Sequence, residues 1–209
     1  MSKFRRGRVV VAGLLAFTSM IALPGSAHAQ PRVISYQCAG DTPLGSIIGV
    51  TYQDLVDVDA PSTIPPRTTM NIQITPAPNV MLSHVDNRPV ESVQDIEWKI
   101  LLPTSASYVT TTLSGGSGTG PVTVTKLSNA LRFNAPGPIA GGAEFQLPTI
   151  TITVRSLSSG TVRLRLAGYS LENPGLSFIA RIQGSTITAD VPTSCYANPD
   201  VTLSSTQIV

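Results

Sequence analysis

Histidine, cysteine, tryptophan and charge are all scarce in this chain. Of 209 residues, two are histidine, two cysteine and one tryptophan, and 12 % are charged. His28 lies in the N-terminal thirty residues, ahead of an expected cleavage site, which leaves His84 as the one histidine of a processed chain. A single imidazole excludes a multi-histidine metal site and allows one histidine for general-base work. Two cysteines without Cys-x-x-Cys spacing lack the common redox motif. With few aromatics there is little to line the subsites of a glycosidase. After the N-terminal region, no apolar run approaches the roughly 20 residues of a spanning helix.

The N-terminal region has the pattern of a secretory leader. Arg5, Arg6 and Arg8 precede an apolar run from Val9 to Leu23, then come Pro24, Gly25 and the small-residue triplet Ala27-His28-Ala29. Residues 1–29 are therefore expected to be a signal peptide cleaved after Ala29, and the mature protein to be secreted or held at the cell envelope. The Arg5-Arg6 pair is followed by Gly7-Arg8-Val9, and paired arginines are common in ordinary leaders.

Removal of the leader takes Lys3, Arg5, Arg6 and Arg8 and no acid, leaving ten basic residues against twelve acidic ones. Such a chain, without clustered Lys or Arg, has no electrostatic footprint for phosphate backbones, and nucleic acid is not an expected partner. An envelope component or another surface protein is the partner class that this compartment suggests. No cofactor motif is present.

Thr, Ser, Val, Ile, Gly and Pro dominate the remainder, which favours strands and turns. Apolar and polar residues alternate at strand length over Val33 to Gln37, Ser46 to Val58, Thr68 to Thr75, Ile96 to Leu102, Tyr108 to Leu113, Val122 to Lys126, Ala130 to Phe133, Ile150 to Arg155, Thr161 to Leu166, Ser177 to Ile182 and Thr186 to Val191. Ser158-Ser159-Gly160 reads as a hairpin turn between two of these strands. Val90 to Leu101 is the one helix candidate, with Val93, Ile96, Ile100 and Leu101 on a stripe; Trp98 falls off that stripe and Pro103 closes the segment. The expected fold is all-β, an antiparallel two-sheet β-sandwich of immunoglobulin-like or Greek-key type, with a closed barrel as the runner-up. It is expected to occupy residues 30–199 as one domain, followed by a polar tail, 200–209. Cys38 and Cys195 are expected to form one disulfide tying the first strand to the end of the domain.

Four groups of residues bear on chemistry. Asp54, Asp57 and Asp59 are the candidate calcium ligands, since carboxylates two apart on a strand share a face and Ca²⁺ takes several oxygens. The same run also reads as the solvent face of a strand with Leu55, Val56 and Val58 inward. His84, with Ser83 and Asp86, lies in a polar stretch that reads as an exposed loop. Glu91, Asp95 and Glu97 are the carboxylates available for glycosidase-type chemistry. Gly115-Gly116-Ser117-Gly118-Thr119-Gly120 has neither phosphate-loop nor nucleophile-elbow spacing and reads as a hairpin tip. Trp98 is expected in the core. No catalytic constellation emerges from these groups.

Tyr36-Gln37-Cys38-Ala39-Gly40-Asp41-Thr42-Pro43-Leu44-Gly45, Pro174-Gly175-Leu176-Ser177-Phe178 and Val191-Pro192-Thr193-Ser194-Cys195 together resemble secreted actinobacterial β-sandwich domains of uncharacterised function. The resemblance implies a fold and an envelope or extracellular setting, and brings no catalytic residues with it. The expected function is that of a secreted, non-catalytic structural or binding protein. The alternatives are a cell-envelope hydrolase and a lipid- or envelope-associated binding protein, for which Leu44 to Val50 and Phe133 to Pro148 are the apolar tracts.

Overall fold

A computed structural model describes residues 30–40 and 47–209. The expected signal peptide, Asp41 to Ser46 and much of the Leu44 to Val50 tract lie outside the described residues. Among the described residues every regular element is a strand, and no helix is long and apolar enough to cross a membrane. The strands are β1 (Gln30–Gly40), β2 (Ile47–Asp59), β3 (Thr63–Ile64), β4 (Thr69–Pro76), β5 (Asn79–Val80), β6 (His84–Val85), β7 (Arg88–Leu101), β8 (Ala106–Ser114) and β9 (Thr123–Lys126). There follow β10 (Ala130–Ala135), β11 (Ile139–Ala140), β12 (Glu144–Phe145), β13 (Thr149–Ser156), β14 (Gly160–Leu166), β15 (Leu176–Gln183), β16 (Thr188–Ala197) and β17 (Thr202–Ile208).

The expected pair of sheets is replaced by one large mixed sheet and one small one. Along the large sheet the order is β3-β17-β14-β7-β15-β16-β1-β2-β4-β13-β8, with β10, β11 and β6 also on β7 and β9 on β10. β5 and β12 form the small sheet. All pairings of the large sheet are antiparallel except β17 with β3. Each long strand turns one row of side chains inward: Ile34, Tyr36 and Cys38 on β1, Met70, Ile72 and Ile74 on β4, Ile150, Ile152 and Val154 on β13, Val162 and Leu164 on β14. These rows belong to a single core. A sheet whose separate parts bury the same face in one core must fold over onto itself. Its facing layers are thus continuous through backbone hydrogen bonds, which departs from a two-sheet sandwich.

One register row displays this continuity. Val124, Phe133, Trp98, Leu176, Cys195, Cys38 and Val50 are successive partners across β9, β10, β7, β15, β16, β1 and β2. Trp98 stacks on Phe133 with ring centroids 5.2 Å apart, burying the tryptophan in the core as expected. Such a stack adds about 0.5–1.5 kcal/mol beyond the buried area. Cys38 and Cys195 are directly opposed, with Cα atoms 4.1 Å apart, and are joined by the expected disulfide.

β7 is a strand throughout, and its helix-like spacing has a local cause. Against β15, Gln94 and Glu97 oppose Ile179 and Ser177, so two residues of β7 stand against Phe178 alone; Asp95 takes φ 52° there. A second extra residue, Glu91, lies between the partnered Val90 and Ser92. Each β-bulge converts an inward spacing of two into one of three. Val90, Val93 and Ile96 are consequently all buried on one face, and the ordinary spacing resumes at Trp98 and Ile100.

Two boundary expectations are corrected. Ser158-Ser159-Gly160 does not close a hairpin: β13 pairs with β4 and β8, whereas β14 pairs with β17 and β7. The turn carries the chain from one layer to the other. Residues 200–209, expected as a tail, contain β17, which pairs with β14 and buries Leu203, Thr206 and Ile208. The Thr206 hydroxyl donates to the Pro61 carbonyl at 2.6 Å, which offsets its burial.

The Pro174-Gly175-Leu176 segment has a steric reason for its glycine. A Cβ on Gly175 would stand 1.8 Å from the Ala167 carbonyl oxygen. The Gly175 N–H donates to Cys195 O at 3.0 Å, and its carbonyl accepts from Lys99 N–H at 2.9 Å, fixing the close approach beside the disulfide.

Candidate functional site

Between the folded layers lies an apolar cavity of about 130 Å³. Val56 of β2, Val93 and Trp98 of β7, Ile150 of β13 and Ala180 of β15 line it, so opposite parts of the sheet supply its walls. The segment joined to the small sheet adds Met81, Phe145 and Leu147. Gln146 holds that segment in place, donating its side-chain amide to Pro76 O at 2.9 Å and exchanging backbone hydrogen bonds with Ser117. A comparable apolar cavity of about 150 Å³ can remain dry and accept a benzene-sized guest.

One wall carries a polar group. Tyr36 and Tyr52 are register partners on β1 and β2, with ring centroids 6.3 Å apart. Asp54 follows Tyr52 on the same inward row and lines the cavity with both tyrosines. Asn79 of β5 donates its side-chain amide to the Tyr52 hydroxyl at 2.7 Å and also hydrogen-bonds the Asp54 carboxylate. The Val80 N–H donates to the Asn79 side-chain oxygen at 2.8 Å, directing the amide nitrogen toward the tyrosine and the carboxylate. The Leu55 N–H donates to Asp54 Oδ1 at 3.0 Å.

Burial dominates the electrostatics here. Asp54 is pushed up to about 6 by desolvation, against the lowering effect of its hydrogen bonds from Leu55 and Asn79. Tyr36 is raised by burial, then by the nearby charges of Asp54 and Tyr52; Tyr52 is raised by burial, then by Asp54. Both phenols therefore remain neutral donors at ordinary pH.

The calcium expectation is not supported by the placement of its three carboxylates. Asp54 points inward, while Asp57 and Asp59 are exposed on the outer face, because an even step along a strand separates them from each other and an odd step separates them from Asp54. Leu55, expected inward, is exposed as well. Among the described residues no three His, Cys, Asp or Glu side chains are grouped to hold a metal.

The other sequence candidates lie away from the cavity. Ser83, His84 and Asp86 are exposed at the β6–β7 hairpin, where Asp86 and Asn87 take φ of 49° and 59°. His84 Nδ1 is 3.2 Å from Ser83 Oγ. Glu91 pairs with Arg181 at 3.2 Å, and Glu97 with Lys99 at 3.2 Å and Arg132 at 3.6 Å. Asp95 is exposed at its bulge. The Gly115–Gly120 loop joins β8 to β9, which do not pair, so it is not a hairpin tip; it bridges to Gln146 through Ser117 and buries Thr119. Phe133, Ala135, Ile139, Phe145 and Pro148 are buried, so the Phe133 to Pro148 tract offers no continuous exposed apolar face.

The polar wall was hidden by reading the acidic run as solvent-facing. The available signal was parity: Val50, Tyr52, Asp54, Val56 and Val58 occupy alternate positions, placing one acid in the inward row of an otherwise apolar strand face.

No family model matches the chain, and no curated protein matches it. Among solved structures, it is similar to one described as "Crystal structure of Putative membrane anchored protein from Corynebacterium diphtheriae", at 14 % identity and a TM-score of 0.55. The match covers 86 % of this chain and 38 % of that one, so this chain spans about two fifths of that protein's length. At this identity the likeness concerns the fold.

Proposed function

We propose that the mature protein is exported, acts outside the cytoplasm at or beyond the cell envelope, and serves as a non-catalytic binding protein whose cavity holds an apolar ligand. The observation that carries this reading is the apolar space between the folded layers with one convergent polar group on its wall, the usual composition of a small-molecule site. The disulfide suits an oxidising compartment, and the leader pattern agrees with export. The description of the similar corynebacterial structure as a putative membrane-anchored protein supports an envelope setting. The envelope-hydrolase alternative gains less support, since His84 is exposed and Glu91 and Glu97 have basic partners outside the cavity.

Trp98 is the chain's sole tryptophan and lines the cavity, which makes it a reporter. Titrating the purified mature protein with 1-bromohexane should quench its emission to saturation. Ala180→Phe, which fills space in the wall, should abolish that saturable quenching while circular dichroism remains native; Val56→Phe provides an independent filling from β2. Quenching without saturation, or saturable quenching unchanged in correctly folded filled variants, would refute the cavity as the binding site.

A further inference from the structure

We infer that the preferred ligand is an amphiphile with a single hydrocarbon chain and a hydrogen-bond-donating end, an alcohol or an amine, received by Asp54 on the Tyr36–Tyr52 wall. The inference rests on the proposed binding function and specifies its ligand class.

The Asp54 carboxylate has acceptor capacity that its protein partners do not fill. Two oxygens offer about four lone-pair positions. The Leu55 N–H and Asn79 amide account for two donors, leaving acceptor capacity on a group that lines the cavity. No ion pair joins Asp54 to a basic side chain among the described residues. An amine supplies the missing positive charge as well as donors, and an alcohol supplies a donor without charge. An anionic head would instead meet a like charge in a setting where water screens it poorly.

The surrounding groups set the orientation. Tyr36 on β1, Tyr52 on β2 and Asn79 on β5 are the polar side chains at the carboxylate. Asn79 is already directed toward Tyr52 and Asp54, so an incoming donor finds an acceptor held in place. Beyond this group the lining is apolar except for Thr193, whose hydroxyl donates to Val191 O at 3.1 Å; Val56 is next on the inward row of β2, and Val93 and Ala180 stand on other walls. Placing the head at Asp54 therefore lets the hydrocarbon part occupy the apolar space while the donor meets the remaining acceptor positions of the carboxylate.

The test uses hexylamine, hexanol and hexanesulfonate to displace 1-bromohexane, read as recovered Trp98 emission. None of these heads titrates between about pH 5 and 8. Near pH 8 the amine should displace bromohexane at a concentration at least about tenfold below that of the sulfonate, with the alcohol also ahead of it. Asp54→Asn should reduce the gap between amine and sulfonate at least about threefold by removing the negative charge. In the unaltered protein, lowering the pH toward 5 should weaken the amine and strengthen the sulfonate, while the alcohol changes little. This second measurement retains the test should the variant fold poorly.

A sulfonate equal to or better than the donors, an unchanged order in folded Asp54→Asn, or an absent pH response would overturn the headgroup assignment. Saturable bromohexane quenching with such a result leaves the apolar-cavity reading standing. Loss of saturable bromohexane binding itself overturns both.

Discussion

Asn79 donates a 2.7 Å hydrogen bond to the Tyr52 hydroxyl, tying the small β5–β12 sheet to the cavity wall. The same amide stabilises the charged form of Asp54. Asn79→Ala should therefore raise the Asp54 titration midpoint above about 6. Carboxyl-carbon NMR on the folded variant measures it; an unchanged or lowered midpoint contradicts the assigned contact.

Asp54 also makes stability depend on pH. Its pKa rises from 3.8 to about 6 on folding, so within that window this carboxyl binds more protons in the folded protein than in the unfolded chain. The Asp54 contribution to stability must consequently fall as pH increases from 4 to 6, and the charged carboxylate is the less favourable form in the fold. Allowing for water at a half-buried group, the effect is about 1–2 kcal/mol. Urea unfolding from pH 4 to 7 should show this slope and Asp54→Asn should flatten it; equal slopes would exclude Asp54 as its source.

Strands β13 and β14 were legible because Ile150, Ile152 and Val154, then Val162 and Leu164, alternate cleanly with polar residues. β17 was harder to recognise because its inward row contains Thr206 and its pairing shifts near Leu203. A hydroxyl satisfied by the distant Pro61 carbonyl leaves no local sequence pattern. In β7 the bulges imitate a helical stripe, and in β2 the inward carboxylate resembles an ordinary surface acid. Local alternation thus located strands, while long-range pairing determined their layers and the polar wall of the cavity.

The C-terminal strand should contribute directly to stability. Leu203→Ala removes a side chain with 2 % exposure and should cost about 2–4 kcal/mol. Val209→Ala, at an exposed end, should stay within about 0.5 kcal/mol of the unaltered protein. Urea midpoints compare the two; equal small effects would contradict the burial of β17.

The disulfide links positions 157 residues apart, so its removal should free a long segment of the unfolded chain. Cys38→Ala with Cys195→Ala should lower stability by about 3–5 kcal/mol. The comparison is urea unfolding with the disulfide intact against the double variant. Equal midpoints would show that the bridge does not stabilise the fold.

β1 reaches β16 across most of the described chain. Its β16 edge therefore stays unmatched until Thr193 to Ala197 have been synthesised, whatever β2 has done beside it. Pairing over such a span slows folding, because distant segments must meet before their hydrogen bonds can form. Until β16 has been made, that side of β1 is a row of unpaired backbone groups, and the middle of the large sheet cannot close.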